Sequence, residues 1–284
     1  MKLDSTFRSQ IEPLQGKPLL YFDEEKIILT LKTLLLEAVQ KRARNHIAIS
    51  FSGGVDSTGL AYLCSLLKIP FTLYSVGLPG APDLVWAERI ATHYKWPLQL
   101  KVISFEEAET IIKDVTRLLQ TDDVTTVGVG CAGYAVLTLS HKNFNTLMTG
   151  LGSEEIFAGY DKHYKAWKEE RILEETFAGL LCLFEKDLIR DTTLLSHFNV
   201  EGLCPYLDKD LVSYALQIDP NLKINDEHKK LILRKTFLAM GLEKEFCFRK
   251  KQAAQYGTRF EKVIEKLAKR NGFTYKKEYL RSLL

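Results

Sequence analysis

The sequence predicts a doubly wound α/β fold, a parallel sheet covered by helices on both faces, followed by a C-terminal helical region. Two observations indicate this class. Short apolar segments alternate with amphipathic helical segments up to about residue 160, which is typical of a parallel sheet. After Tyr160 the hydrophobic residues recur with the helical period alone. We therefore expect an N-terminal arm at 1–23, an α/β core at 24–160, and a helical region at 161–284 that ends in a basic tail.

The first predicted element of the core is a helix that begins after Asp23. Aspartate is a favoured N-cap, and the arm before it contains Pro13, Gly16 and Pro18, which interrupt any regular period. The apolar positions of this helix have the spacing of one helical face. They are Ile27, Ile28, Leu31, Leu34, Leu35 and Val39.

Strands and helices then alternate along the core. The predicted strands lie at 46–51, 71–76, 98–103 and 145–149, and the predicted helices at 56–68, 83–95, 105–119 and 131–142. Ser104 and Glu107 have the spacing of a capping box at the start of the third of these helices. In the helical region we predict helices at 162–187, 208–218, 226–240 and 258–270. Gly241 is placed to end the third of them.

Composition limits the class of protein. The 284 residues, 46% of them hydrophobic, can bury one large domain or two modest ones. The net charge of +3 is too small to indicate a nucleic-acid or membrane partner, although basic residues crowd the last forty positions, where a polyanion-binding role is an alternative to a solvated surface. No apolar run approaches the roughly 20 residues of a membrane span. The five cysteines form no C-x-x-C pair, so we expect reduced cysteines and a cytoplasmic protein.

The turn at 52–57 reads Ser-Gly-Gly-Val-Asp-Ser and lies between an apolar strand and an amphipathic helix. Gly53 and Gly54 allow a sharp turn in which successive N–H groups point at a phosphate. The N-terminus of the following helix favours the same anion, and Asp56 is placed to hold a Mg²⁺ ion that neutralises it. Ser-Gly-Gly also occurs in ordinary turns, but the strand and helix on either side favour a phosphate site.

Three further segments follow predicted strands, where a nucleotide site of such a sheet is expected. Segment 74–83 contains Gly77, which allows an adenosine to approach the backbone. Segment 149–155 is a Gly-rich turn with two carboxylates. The third comprises 204–208 together with 249–257. Each segment alone is equally consistent with a turn, a helix cap or a solvated basic run.

Together with the turn at 52–57, these segments resemble the synthetase domain of asparagine synthetases and of the related β-lactam synthetase. These enzymes are ATP pyrophosphatases of the PP-loop, or adenine nucleotide alpha hydrolase-like, type. The resemblance covers about residues 24–260 and includes 122–126, 157–160 and Lys165. It implies an ATP-binding ligase that splits ATP into AMP and pyrophosphate, with an adenylated intermediate.

The resemblance also implies roles for individual residues. ATP and pyrophosphate would be bound by Ser50, Ser52, Gly53, Gly54, Val55, Asp56, Ser57, Val76, Gly77, Gly150 and Lys251. Magnesium would be held by Asp56 and Glu154, of which Glu154 stands where the family has an aspartate. Lys251 and Lys165 would be the catalytic lysines that stabilise charge on the phosphates. The substrate pocket would contain Thr125, Thr126, Gly128, Cys131, Leu151, Gly152 and Ser153.

Two departures from the family pattern concern the substrates. The glutamine-using members have a catalytic cysteine where this chain has Lys2, and a glutaminase domain for which too few residues precede the sheet. We therefore expect the nitrogen to come from ammonia, a separate glutaminase or another amine. Leu151 replaces a glutamate and Gly128 an arginine of the asparagine synthetases, and a buried charge without a partner costs several kcal/mol. We therefore expect free aspartate to be a weak substrate, and a larger or less charged carboxylate to fit a widened, apolar pocket near Leu151, Gly128 and Cys131.

Three hypotheses follow for the function. The first is an AMP-forming amide ligase dependent on Mg²⁺ and ATP, with a place in amino-acid biosynthesis. The second keeps the same ATP chemistry but applies it to another acid or to a tRNA base. Because the sulfur-inserting tRNA enzymes have paired cysteines or an added RNA domain, the acid is favoured. The third is a nucleotide-binding regulatory protein that has lost turnover. The sequence does not fix the assembly, for which a homodimer is one candidate.

Overall fold

The computed structural model of the protein describes residue 9 and residues 11–16, 18–250 and 253–284. Within these residues a five-stranded sheet has the order β3-β2-β1-β4-β5, with every neighbouring pair parallel. The strands are β1 (Ile47–Ser50), β2 (Phe71–Gly77), β3 (Leu98–Val102), β4 (Thr146–Met148) and β5 (Glu201–Leu203). This confirms the predicted fold class. The strand order reverses between β1 and β4, and open α/β sheets bind ligands beyond the carboxyl ends of the strands at such a point.

Helices cover both faces of the sheet. Those that precede β4 are α1 (Glu24–Gln40), α2 (Val55–Leu66), α3 (Pro82–Tyr94), α4 (Phe105–Leu119) and α5 (Val124–Ser140). Those that follow β4 are α6 (Ser153–Ile156), α7 (Asp161–Lys168), α8 (Ile172–Glu185), α9 (Asp187–His197), α10 (Lys209–Leu216), α11 (Pro220–Lys223), α12 (Leu231–Ala239), α13 (Lys244–Cys247), α14 (Ala254–Gly257), α15 (Phe260–Arg270) and α16 (Lys276–Arg281). No single helix in the described part of the chain is long and apolar enough to cross a bilayer, and only α4 and α5 taken together, with a bend of 114° between them, meet that requirement by length and composition.

The core has two main clusters, and the alternation of β1 separates them. Ile47 and Ile49 pack into the cluster that contains α1 and α2, whereas Ala48 packs into the cluster that contains α4, α5 and α15. Successive strand residues point to opposite faces of a sheet, so helices lie on both. Two predicted helix starts are confirmed: the Asp23 carboxylate accepts from Lys26 N at 3.2 Å, and Ser104 with Glu107 forms a capping box.

The prediction of helices alone after Tyr160 is wrong at β5. This strand consists of Glu201, Gly202 and Leu203 and pairs with β4. Three residues with a central glycine have neither the length nor the propensity that marks a strand in the sequence. Pairing with β4 makes this segment a strand, so the parallel sheet extends beyond the predicted core at 24–160.

Three helical predictions also differ from the structure, one of them because the helix predicted at 226–240 begins only at Leu231. The single helix predicted at 162–187 is divided into α7 and α8, which are separated by Glu170 with φ of +56°. Helix α9, which follows α8, is not among the predicted helices. Helix α5 begins seven residues before the predicted start at 131. Asp123 caps it by accepting from Thr126 N at 2.8 Å, while the glycines in its first turns weaken the helical signal.

Lys223, at the end of α11, is a buried lysine and makes stability depend on pH. Burial disfavours the charged ammonium and lowers the pKa of Lys223 to about 7 from 10.5, although Asp219 opposes the shift. Between these values the unfolded chain holds a proton that the folded protein has lost, so stability should rise with pH, by about 1.4 kcal/mol per unit. The variant K223M should lack this contribution. Urea unfolding at pH 7, 8 and 9 measures it.

The control for this prediction is K266M, which removes an exposed lysine of α15. The free energy of unfolding of wild type minus that of K223M should increase with pH, whereas the same difference for K266M should stay constant. A constant difference for K223M as well would show that Lys223 keeps its proton in the folded protein.

Candidate active site

A cleft of about 1390 Å³ opens beyond the carboxyl ends of the strands. Ser50, Val76, Thr149 and Cys204, which end or follow β1, β2, β4 and β5, all line it. Side chains from α5, α9 and the start of α12 complete its walls. The cleft therefore lies at the point where the strand order reverses.

The turn at 52–57 is held in shape by its own side chains. Ser52 Oγ accepts from Gly54 N at 3.3 Å and lies 3.3 Å from Ser57 Oγ. Gly53 has φ of +66°, and a Cβ there would lie 2.9 Å from a guanidinium nitrogen of Arg249, so glycine is required. Gly54 is the N-cap of α2 and has no side chain to cap it. The N–H groups of the first turn of α2 therefore remain suited to an anion.

Arg249, which is not part of the turn at 52–57, holds the turn in place through a hydrogen bond. Its Nη1 donates to the carbonyl of Ser52 at 2.6 Å, and its Nη2 donates to Asp83 Oδ1 at 2.8 Å. The guanidinium also lies 5.1 Å from the ring centre of Trp86. Both charged side chains are only 2% exposed. Burial lowers the pKa of Arg249 and the Asp83 carboxylate opposes this, so the pair forms a buried ionic anchor between the turn and α3.

Asp56 and Glu154 meet across the cleft, and Lys230 lies between them. Lys230 Nζ is 2.8 Å from both carboxylate oxygens of Asp56, 2.8 Å from Glu154 Oε1 and 3.2 Å from Ser153 Oγ. Burial alone would lower the pKa of Lys230, but the two carboxylates outweigh it and the pKa is raised. The three side chains thus form a cluster of two negative charges and one positive charge, in which the side chain of Lys230 is 5% exposed and that of Glu154 is 30% exposed.

Glycines make this cluster possible. A Cβ at Gly159 would overlap Glu154 Oε2 and the Lys230 stem, and a Cβ at Gly150 would lie 2.9 Å from Asp56 Cβ. The backbone at both positions therefore approaches the cluster at a distance that leaves no space for a Cβ atom.

Asp56 and Glu154 fit a magnesium ion. Their carboxylates converge, and Glu154 Oε2 is buried without a hydrogen-bond partner among the described residues. No group of three or more histidine, cysteine, aspartate or glutamate side chains suited to a metal occurs within the described ranges. Proteins usually bind Mg²⁺ through one or two carboxylates together with phosphate oxygens and water, so two carboxylates are enough where a nucleotide supplies the remaining ligands.

The structure brings many of the residues predicted for the site to this cleft. They are Ser50, Ser52, Val55, Asp56, Ser57, Val76, Thr125, Thr126, Gly150, Leu151, Ser153 and Glu154. Gly77 lies against Ala81, and Gly152, with φ of +94°, lies against Leu207. Lys165 is exposed on α7 and is absent from the lining. Lys251 lies outside the described residues.

The structure does not bring Gly128 and Cys131 to the cleft. A Cβ at Gly128 would lie 3.0 Å from Gln255 Cβ, so α14 fills the space beside it, and Cys131 is fully buried in the core. The widened pocket expected near these two residues is therefore closed. Apolar lining lies on a neighbouring face of α5, on β4 and on the turn that follows β4. It includes Val129, Ala132, Val136, Leu147 and Leu151.

The cleft also has a polar group of side chains that the sequence did not predict. Arg190 donates from Nη1 to Asp187 Oδ1 at 2.6 Å and from Nε to Asp191 Oδ1 at 2.7 Å, and all three residues line the cleft. Tyr160 donates to Glu155 Oε1 at 2.9 Å. Burial is the main cause that raises the pKa of Glu155 to about 7. These groups can recognise a polar or charged substrate.

Lys230, Arg249 and Arg190 are the site residues for which the sequence offers little signal. Lys230 has a weak signal, because it directly precedes the apolar run 231–233. A helix that begins with this run places Lys230 near the protein interior. Arg249 begins a basic run that resembles a solvated surface, and Arg190 lies on a helix that was not predicted.

The chain is similar to several known proteins. Residues 30–179 and 168–272 match the family model for asparagine synthase. The chain is 30% identical to a protein of Methanocaldococcus jannaschii described as a glutamine-hydrolysing asparagine synthetase, over 86% of this chain and 52% of that protein. It is 28% identical to asparagine synthetase B of Escherichia coli, over 77% and 44%. The chain thus spans about half the length of these curated relatives. Among solved structures, the U34-tRNA thiolase NcsA from Methanococcus maripaludis covers 95% of this chain and 85% of its own, with 16% identity and a TM-score of 0.42.

Proposed function

The chain belongs to the asparagine synthase family, and we propose that it is an AMP-forming amide ligase that uses ATP and Mg²⁺ to activate a carboxylate. In the proposed reaction a carboxylate oxygen attacks the α-phosphorus of ATP and pyrophosphate leaves. Ammonia or an amine then attacks the acyl adenylate and AMP leaves. The observation that supports this most is the convergence of Asp56 and Glu154 with the turn at 52–57 at the reversal of strand order.

The groups around the turn at 52–57 have distinct roles in the proposed binding of the triphosphate. The first N–H groups of α2 and the hydroxyls of Ser52 and Ser57 would bind the leaving pyrophosphate. Asp56 and Glu154 would hold Mg²⁺, which when bound neutralises charge that develops on the leaving group. Val76 and Gly77, at the end of β2, would contact the adenosine.

Two lysines are proposed on the pyrophosphate side. Lys251 is kept from the family resemblance, and its neighbours support it because Arg249 contacts the turn at 52–57 and Ala253 lines the cleft. The second is Lys230 rather than Lys165. Lys230 lies within the cleft beside both metal ligands, whereas Lys165 is exposed on α7.

We propose that the acceptor is a carboxylate other than aspartate. Leu151 offers no charge, Gln255 closes the space beside Gly128, and two nitrogens of Arg190 are already paired with Asp187 and Asp191. A small amino acid with two carboxylates would leave charges without partners, which costs several kcal/mol. A longer acid could lay an apolar part along Val129 and Val136 and reach the polar group of side chains in the cleft.

Product analysis with a panel of carboxylates tests this function. With MgATP and ammonium we expect AMP and pyrophosphate, a Michaelis constant for aspartate above about 1 mM, and faster turnover with a larger acid. Formation of ADP and phosphate would contradict the mechanism. A Michaelis constant for aspartate below about 1 mM, together with normal turnover, would identify an ordinary aspartate-using enzyme.

The same assay also tests the nitrogen source and the regulatory alternative. Parallel reactions with glutamine in place of ammonium identify the nitrogen source. Tight nucleotide binding without turnover on any acid would favour the regulatory alternative.

A further inference from the structure

Lys230 occupies the position between the two carboxylates that fit a metal. Its Nζ lies 2.8 Å from three of their four oxygens, and its side chain is only 5% exposed. A metal bound to Asp56 would have to coordinate an oxygen that the Lys230 ammonium already contacts. The ammonium and a divalent cation therefore compete at least for the Asp56 carboxylate.

The backbone around Lys230 holds the side chain in this position. Lys230 precedes α12 with φ of +56°, and Arg234 Nε donates to the carbonyl of Lys229 at 2.7 Å. Gly159 lies directly against the lysine stem and leaves no room for a side chain of its own. The contact with Asp56 and Glu154 is thus part of the packed structure, unlike a surface lysine that meets an acid by chance.

Two cations cannot share these oxygens at low cost. A divalent ion and an ammonium a few ångströms apart repel each other strongly, most of all where water is excluded. Mg²⁺ also demands near-ideal octahedral coordination. Entry of the metal therefore requires the ammonium to move away, and the flexible four-carbon stem of lysine allows this movement.

We propose that Lys230 is an internal counter-cation that competes with the divalent metal for Asp56 and Glu154. The metal then binds tightly only together with ATP, because the phosphates supply additional metal ligands and accept the displaced ammonium. This coupling disfavours binding of metal to the protein alone. The inference rests on the proposed role of Asp56 and Glu154 as metal ligands and adds to it the group that regulates their occupancy.

Binding of Mn²⁺, followed by electron paramagnetic resonance, tests the proposal without catalysis. In the absence of nucleotide, wild type should bind Mn²⁺ weakly and K230M at least about tenfold more tightly, since a close like-charge repulsion has been removed. The matched control is K229M, whose lysine pairs with Asp161 instead. It should change the affinity by no more than about twofold, because screening weakens charges that are farther away.

If K230M is too unstable for the binding measurement, its thermal unfolding with and without Mn²⁺ provides a second test. Without the lysine the two carboxylates repel each other, so K230M should melt at a lower temperature than wild type, and Mn²⁺ should restore more stability to it than to wild type. K230Q, which keeps a polar side chain of similar reach, should show the same gain in Mn²⁺ affinity.

Two different outcomes separate this inference from the proposed function. If wild type binds Mn²⁺ with a non-hydrolysable ATP analogue but K230M and K230Q show no gain without it, the competition is overturned and the function stands. If neither wild type nor these variants bind Mn²⁺ even with the analogue, Asp56 and Glu154 are not metal ligands and the proposed function fails as well.

Discussion

Replacing Asp56 with asparagine should lower the rate of pyrophosphate release by about a hundredfold or more, which is the scale for losing one electrostatic stabiliser of a transition state. Asparagine has nearly the same shape, so the turn at 52–57 can persist. What is lost is the negative charge that faces Lys230 and that we propose holds Mg²⁺. Single-turnover measurement of pyrophosphate at saturating MgATP reports this loss directly.

The control for D56N is D210N, which removes an aspartate charge far from the cleft, half exposed and paired with Lys41. Its rate should stay close to that of wild type. Circular dichroism of both variants should match wild type, so that the lost rate can be assigned to the site. A D56N enzyme that kept a third or more of the wild-type rate would remove Asp56 from the mechanism.

Replacing Arg249 with methionine should destabilise the protein by about 3 to 5 kcal/mol, because it removes the arginine that pairs with the buried Asp83 carboxylate. Both side chains are 2% exposed. The same change removes the hydrogen bond to Ser52 that holds the phosphate turn. Urea unfolding measures the loss, and a variant that still folds should also bind ATP more weakly.

Arg89 offers a closely matched control for this prediction. Its guanidinium also lies 5.1 Å from the ring centre of Trp86, but its ion pair with Glu245 is about half exposed. R89M should therefore cost less than about 1 kcal/mol. The double variant R249M/D83M should recover part of the stability lost in R249M, because both members of the buried ion pair are then replaced by apolar side chains. Equal costs for R249M and R89M would show that burial does not strengthen the pair.

Elements with strong local signals were predictable from the sequence. The predicted helix at 105–119 coincides with α4, because Ser104 and Glu107 define its start and the amphipathic period defines its length. The segment 52–57 follows β1 and runs into the start of α2 at Val55, as its position between an apolar run and an amphipathic helix predicts. In these segments the structure follows from interactions among residues that are near one another in the chain.

The remaining features depend on distant partners. Glu201–Leu203 becomes a strand only because β4 lies beside it. Lys230 follows another lysine, a pattern typical of a solvated surface, and is buried because Asp56 and Glu154 reach it from two other elements. Gln255 closes the space beside Gly128 from α14, so the shape of the pocket could not be derived from the substitution at 128 alone.

The order of the strands also affects how the protein folds. Ala48 pairs with Leu147, and Leu147 pairs with Gly202, so the centre of the sheet joins segments far apart in the chain. Such non-local pairings form slowly, since a long loop must close before any contact compensates its entropy. Asp56 and Glu154 meet only when β1 and β4 have paired, and Lys230 arrives from a still later segment. We therefore expect the cleft to be completed among the last events of folding, so that the ATP proposed to bind there would stabilise the chain only after those slow steps.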